Sequence, residues 1–279
     1  MTIAVVTDSS SDLPAELTSA HCVGVVPLSI RFGDEELVDR QDLTPAQFWA
    51  KCAASPVLPE TSAPSPGAFE AAFRAAAADG ADGVVCVSLS SKLSATIEAA
   101  RAAATALEGQ IPVRVVDSLS VTMGLGMIVL ATARAGAESS DVEEVAALAG
   151  ELAGRTRVYG TLDTLENLKK GGRIGAAQAL LGSILSVKPI IELRDGAVEP
   201  GPRQRTRARA LAWLADRVAA DAPPGDVAVV SGEAPDVDAL RALLASHIGN
   251  DRIVLADLGA VIGTHAGPRT IGVAYQVAS

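Results

Sequence analysis

From Ile3 onward, the first half of this 279-residue chain alternates short β-branched runs with alanine-rich stretches, and few folds admit that rhythm. Ile3–Thr7, Gly24–Ile30, Val84–Ser88 and Val113–Asp117 read as strands bounded by turn residues. Between them, Thr44-Pro45-Ala46-Gln47 has the form of a capping box with proline at the first helical position. Ser65-Pro66 starts a helix that stops before Gly80, Ser94 to Leu107 forms another, and Ser140-Asp141-Val142-Glu143 opens one more. Strands separated by helices return in right-handed βαβ units, so this half predicts a largely parallel sheet with helices packed on it.

The second half has a different rhythm. Val158–Thr161 reads as a strand, and Pro189–Leu193 and Ala197–Glu199 read as a hairpin turning through Asp195-Gly196. A basic helix follows from about Thr206 to Ala220, then Val227–Ser231, a helix from Asp236 to Ile248, Ile253–Asp257 and a last strand, Ile271–Val277. The fold class is therefore α/β with two lobes. Residues 1–155 form an N-terminal α/β lobe and 156–279 a mixed α+β lobe, joined near Gly154–Thr156. Two runs, Met123 to Ala133 and Ala176 to Val187, are apolar nearly all round, which places a helix away from water on every side. Central core helices and the walls of a long aliphatic cavity both satisfy that pattern.

Composition excludes several classes. Only 3% of residues are aromatic against 49% hydrophobic, so aliphatic side chains must fill the interior. A net charge of −10 repels nucleic-acid phosphates, and Lys and Arg concentrate in one stretch, Arg194 to Arg217. The N-terminus starts a strand at once and carries no signal-peptide pattern. The uncharged runs are shorter than the roughly 20 residues of a membrane helix, and a cytoplasmic protein without stable membrane insertion is expected. Cys22, Cys52 and Cys86 form no Cys-x-x-Cys pair, and Cys22 and Cys86 read as reduced core residues.

No phosphate-loop motif, nucleophile elbow or metal-ligand histidine spacing occurs, so no cofactor and no metal are expected. Gly124-Leu125-Gly126 lacks the third glycine of a dinucleotide fingerprint and reads as close helix packing. What remains is a set of hydroxyl- and glycine-rich junctions: Thr7-Asp8-Ser9-Ser10-Ser11, Thr61-Ser62-Ala63-Pro64-Ser65, Ser90 to Thr96, and Gly263-Thr264-His265-Ala266-Gly267-Pro268. Hydroxyls and bare N–H groups at strand ends and helix starts hold small anions, and they also cap helices. Three serines and a threonine between Ser90 and Thr96 exceed what one cap requires. Gly263 and Gly267 imply a backbone turning sharply around His265.

Taken in order, these segments resemble the DegV family, bacterial fatty-acid-binding subunits that serve a fatty acid kinase. Further matches are Val116-Asp117-Ser118 and Thr161 to Ile174, the latter containing Gly171-Gly172-Arg173, and the ordered set spans residues 3 to 273. The resemblance implies one long-chain fatty acid, such as palmitate, stearate or oleate, in a buried tunnel between and within the lobes. Its carboxylate ligands would be Thr61, Ser62, Ser94 and His265, with Ser91 nearby. Arg173 and Arg205 match arginines associated with docking on the kinase catalytic subunit. Ala95 and Arg269 stand where the family usually has glycine, and Arg269 is expected to bring a cation close to His265. The resemblance implies a lipid-binding subunit and not an enzyme. A serine-dependent acyl hydrolase built on Ser94 and His265, or a lipid-responsive regulator using Arg203–Arg209, are the alternatives.

Overall fold

A computed structural model describes residues 2–186 and 188–278. In the first half, β1 (Ile3–Asp8), β2 (Gly24–Val26), β6 (Gly83–Ser88) and β7 (Val113–Asp117) form a four-stranded sheet of order β2-β1-β6-β7, and every pairing is parallel. The two central strands are buried almost throughout, as a sheet covered on both faces requires. Alternation along them sorts the faces. Val6, Val84 and Cys86 pack under Phe69 and Phe73 of α3 (Pro66–Ala78) and Ala100 of α4 (Thr96–Ala106). Val5, Val85 and Val87 belong to a larger core shared with α5 (Thr122–Glu138) and α6 (Val142–Arg155).

Gly24–Ile30 is not one strand. Pro27 has no N–H to give a ladder, and the chain leaves the parallel sheet there. It resumes as β3 (Ser29–Phe32), which pairs antiparallel with β4 (Glu35–Val38) and β5 (Glu60–Ser62) in a separate small sheet. Helices α1 (Ala15–Ala20) and α2 (Pro45–Ala54) flank these strands in sequence, and the expected capping box at Thr44 and Gln47 is formed on both sides. Cys22 is exposed at a left-handed φ of 51° in the turn after α1, contrary to the core position expected for it, whereas Cys86 is fully buried.

α6 runs directly into β8 (Thr156–Thr161) at the expected junction, with no linker between. After it come α7 (Glu166–Lys170), a 3-10 segment over Gly175–Ser186, β9 (Lys188–Arg194), β10 (Ala197–Gln204), α8 (Arg207–Asp221), β11 (Val227–Ser231), α9 (Val237–Ile248), β12 (Ile253–Asp257), α10 (Ala260–Ala266) and β13 (Ile271–Gln276). The strands make a mixed six-stranded sheet, β10-β9-β8-β13-β11-β12, in which only β11 and β12 run parallel. One face packs Tyr275, Val227 and Val229 against Leu211, Leu214 and Val218 of α8 and Leu240 and Leu244 of α9. The other face turns toward α5.

That helix is central to the core, as one of its two readings required. Eleven of its residues are buried, and it touches strands of both large sheets. Its glycines allow the approach: a Cβ on Gly124 would sit 2.4 Å from Val158 Cγ2, and one on Gly136 would sit 2.4 Å from the Ile3 carbonyl. Of the second apolar run, Val187 and the side chains of 181–186 lie outside the described residues.

Candidate functional site

The open face of the six-stranded sheet does not close completely on the rest of the molecule. Between them lies a cavity of about 120 Å³ whose walls are aliphatic: Leu28, Leu89, Leu162, Leu168, Leu258 and Val261 among others. Gly160 and Gly272, paired across β8 and β13, contribute backbone to its floor. Thr122, Tyr159, Glu192 and Thr270 are among its polar residues, and four others come from separate elements. Thr61 comes from β5, Ser94 from the turn before α4, His265 from α10 and Arg173 from the chain just after α7.

Thr61 Oγ1 and His265 Nε2 lie 3.1 Å apart and hydrogen bond to each other. His265 Nδ1 is buried and has no hydrogen-bond partner among the described residues. Burial first, and then the nearby Arg173 guanidinium, push the imidazole pKa down to about 4. His265 is therefore a neutral ring near pH 7, and its role at the cavity is hydrogen bonding without charge. The backbone closes tightly around it, since a Cβ on Gly171 would meet Nδ1 at 2.3 Å. α10 is held from behind by α2, where Trp49 Nε1 donates to the Leu258 carbonyl at 3.2 Å.

The two glycines flanking His265 have different tasks. Gly267 ends α10 at a φ of 82°, which supplies the expected sharp turn. Gly263 lies inside the helix, where a Cβ would come within 2.9 Å of the Phe48 and Trp49 rings, so its requirement is close packing.

Ser94 accepts from the Thr96 N–H at 3.2 Å and shares a 2.9 Å hydrogen bond with the Thr96 hydroxyl, so it joins the helix start and also faces the cavity. Arg173 is half-buried: its Nε donates to the Leu93 carbonyl at 3.1 Å and its Nη1 to the Gly171 carbonyl at 2.7 Å. Those bonds strap the Ser94 turn to the Gly171 turn and leave a fixed positive charge in the cavity wall. The cation near His265 is thus Arg173. Arg269, expected there, pairs its Nε with Asp163 Oδ2 at 2.9 Å and does not line the cavity. Its φ of 61° is left-handed, a conformation that glycine adopts without strain. Ala95, at φ −82°, needs no such freedom.

Of the five residues expected as ligands, Thr61, Ser94 and His265 converge. Ser62 follows Thr61 on β5, where side chains alternate, and it is exposed. Ser91 is also exposed, with its N–H donated to Asp117 Oδ1. Arg205 is exposed between β10 and α8, while Arg207 beside it is committed to a two-point pair with Asp236 at 2.8 and 3.0 Å. Ser90 ties the halves together by donating to the Gly196 carbonyl at 2.7 Å. The first hydroxyl junction, Thr7 to Ser11, is buried outside the cavity wall. Sequence reasoning missed the cavity position of Arg173. The signal was the glycine pair before it, which lets the backbone fold back on the imidazole.

No group of metal-ligating side chains occurs among the described residues, and none of their helices is long and apolar enough to cross a membrane. A DegV family model, described as covering uncharacterised proteins, matches residues 2–278. A DegV domain-containing protein of Streptomyces coelicolor is 40% identical over 277 residues, covering 97% of each chain. A second, from Deinococcus radiodurans, is 38% identical over 282 residues, covering 99% of each. Among solved structures, a DegV family protein from Thermus thermophilus, described for its fatty acid binding, superposes with a TM-score of 0.90. It is 36% identical, over 99% of this chain and 100% of that one. A stearic acid-binding protein from Eubacterium ventriosum superposes at 0.87 with 26% identity, over 99% of this chain and 98% of that one.

Proposed function

The chain belongs to the DegV family, and from that premise we propose that it buries one long-chain fatty acid in its aliphatic cavity and holds the carboxylate at Thr61, Ser94 and His265. The observation that carries this reading is the arrangement of the cavity: a largely aliphatic wall to which Thr61, Ser94, His265 and Arg173 are brought from four separate elements. Burial of hydrocarbon contributes about 0.8 kcal/mol per methylene, so about 15 methylenes give on the order of 12 kcal/mol once the cavity, about 120 Å³ without ligand, widens to admit them. Ordering the chain offsets part of that. The remainder supports tight binding with few polar contacts. Arg173 supplies the charge that a carboxylate needs, and the neutral His265 supplies direction.

The finer proposal is that the protein acts in the cytoplasm and presents this carboxylate to a separate ATP-dependent fatty acid kinase subunit, with Arg205 on the docking surface and no chemistry of its own. Arg173 sits at the carboxylate in this reading, beside the place where an acyl phosphate would form. An acyl hydrolase is disfavoured by specific contacts. Ser94 bonds Thr96, His265 Nε2 bonds Thr61, and Nδ1 has no orienting partner among the described residues.

Native mass spectrometry of protein purified from a lipid-containing host, followed by denaturing extraction, tests the binding. One fatty acid per chain is expected. A delipidated sample that takes up no palmitate, stearate or oleate would overturn the reading.

A further inference from the structure

The first hydroxyl junction takes no part in the cavity, yet it is among the most deeply buried polar segments of the molecule: Asp8, Ser9, Ser10, Ser11 and Asp12 are each at most 3% exposed. Asp8 is used locally. It accepts from the Ser10 and Leu89 N–H groups and from the Ser88 hydroxyl. Asp12 reaches further. Its Oδ1 accepts from the Gly259 N–H at 2.9 Å, the residue that starts α10, and its Oδ2 accepts from the Thr122 hydroxyl at 2.6 Å, the residue that starts α5. Gly259 leaves no room for a Cβ, which would lie 2.5 Å from Oδ1. Asp12 and Thr122 both hold left-handed φ values, 53° and 47°, so the contact is kept at a cost in backbone strain. α10 carries Val261, Ile262 and His265 into the cavity, and Thr122 lines it directly.

We infer that Asp12 is a positioning residue for the carboxylate site: as a carboxylate it pins the start of α10, and through it His265, to the start of α5. This rests on the proposed fatty-acid reading for its functional consequence, though the pinning itself does not. An ionised Asp12 gives both donors charge-assisted hydrogen bonds, roughly twice as strong as neutral ones, and protonation removes that advantage. The charged groups facing it are Arg40, 3.3 Å away, and Asp39, both on the loop after β4. Asp8 in turn faces Asp39. α5 and α10 meet it with a hydroxyl and a backbone N–H, neither of which titrates near pH 7. Burial outweighs Arg40 and pushes the Asp12 pKa up to about 7, so the latch changes state near neutral pH while His265 itself stays neutral.

The test needs no ligand at first. In ligand-free protein, the ring signal of His265, assigned with His265→Gln, is followed by NMR from about pH 5.5 to about pH 8.5. It should shift with a midpoint near neutrality in the wild type and stay flat in Asp12→Asn, which keeps the shape and removes the charge. Arg40→Gln, which removes the favourable cation, should move the midpoint upward and serves the same purpose if Asp12→Asn does not fold. Palmitate is then added. Wild type should bind about fivefold more tightly than Asp12→Asn at about pH 8 and equally at about pH 5.5. Asp12→Asn should nonetheless melt no lower than wild type at the higher pH, because it removes a buried charge; a merely structural residue would lose affinity and stability together. A wild-type His265 signal that ignores pH, or one that moves alike in wild type and Asp12→Asn, overturns the inference. A responsive ring with no palmitate bound at any pH leaves the latch standing and overturns the fatty-acid reading instead.

Discussion

In the proposed carboxylate site, His265 and Arg173 divide between them the two things a buried carboxylate requires. The imidazole is held neutral by burial and by the guanidinium beside it, so it contributes a directed hydrogen bond with Thr61 close by. The guanidinium, fastened to the Leu93 and Gly171 carbonyls, contributes positive charge. Removing one hydrogen bond to a buried charge costs roughly 1.5–3 kcal/mol. Ser94→Ala and His265→Ala are accordingly expected to weaken fatty-acid binding by that amount, as isothermal titration would measure, with some loss of ligand-free stability because both side chains also make structural hydrogen bonds. Equal affinities in wild type and both variants would reduce Ser94 to a structural contact at its helix start and His265 to a packing residue. Arg205→Ala should behave differently. Exposed and outside the cavity wall, it should retain full fatty-acid affinity and lose acyl-phosphate formation with a kinase subunit; full turnover in a reconstituted assay would remove it from the docking surface.

At the scale of elements, the sequence was most legible where strands are central and helices long. β1 and β6 fall within a residue of their expected limits, because a strand buried on both faces must be a continuous β-branched run between turn residues. β7, at the sheet edge, also matches, as a valine-rich run between turn residues. The hairpin through Asp195-Gly196 was equally clear, since both residues take the positive φ that such a turn demands. The small sheet β4-β3-β5 was not. Its strands are three or four residues long, too short for periodicity to register, and Pro27 marks a change of sheet that a local pattern reads as one strand. That cost the site part of its description, because Thr61 looked like a residue before a helix while it is the middle of an edge strand. The cavity position of Arg173 was out of reach for a related reason: charge suggests a surface, and only the fold brings residues 93, 171 and 265 around it. For α5 the legible feature was its glycines. Gly136→Ala places a methyl against the Ile3 carbonyl and should destabilise the protein by about 1–3 kcal/mol in urea denaturation, with fatty-acid affinity retained because Gly136 does not line the cavity.

For the molecule as a whole, buried ionisable groups set how stability follows pH. Asp8, Asp12 and Asp39 all have raised pKa values, each chiefly through burial. A raised carboxyl pKa means that the folded state binds more protons than the unfolded one, so this stability is fully present below the unfolded value and is lost as pH rises through the folded value, about 7 for Asp12. His265 acts in the opposite sense. Its contribution is present above its unfolded pKa and is lost as pH falls toward 4. Three groups oppose one, and acid also relieves the repulsion of a net charge of −10. Ligand-free protein should therefore melt higher at about pH 5.5 than at about pH 8, and calorimetry showing the reverse order would contradict these assignments. A last consequence comes from α5, which packs on strands of both large sheets, with α6 passing into β8 without a linker. Neither half can come apart while the other stays folded, so heat should melt the chain in a single transition. Any compound that occupies the cavity, whatever its chemistry, must then raise the one midpoint that exists, by about 2.7 kcal/mol of added stability at a hundredfold excess over Kd. A thermal-shift screen of an unselected metabolite library thus becomes a complete census of what this protein accepts.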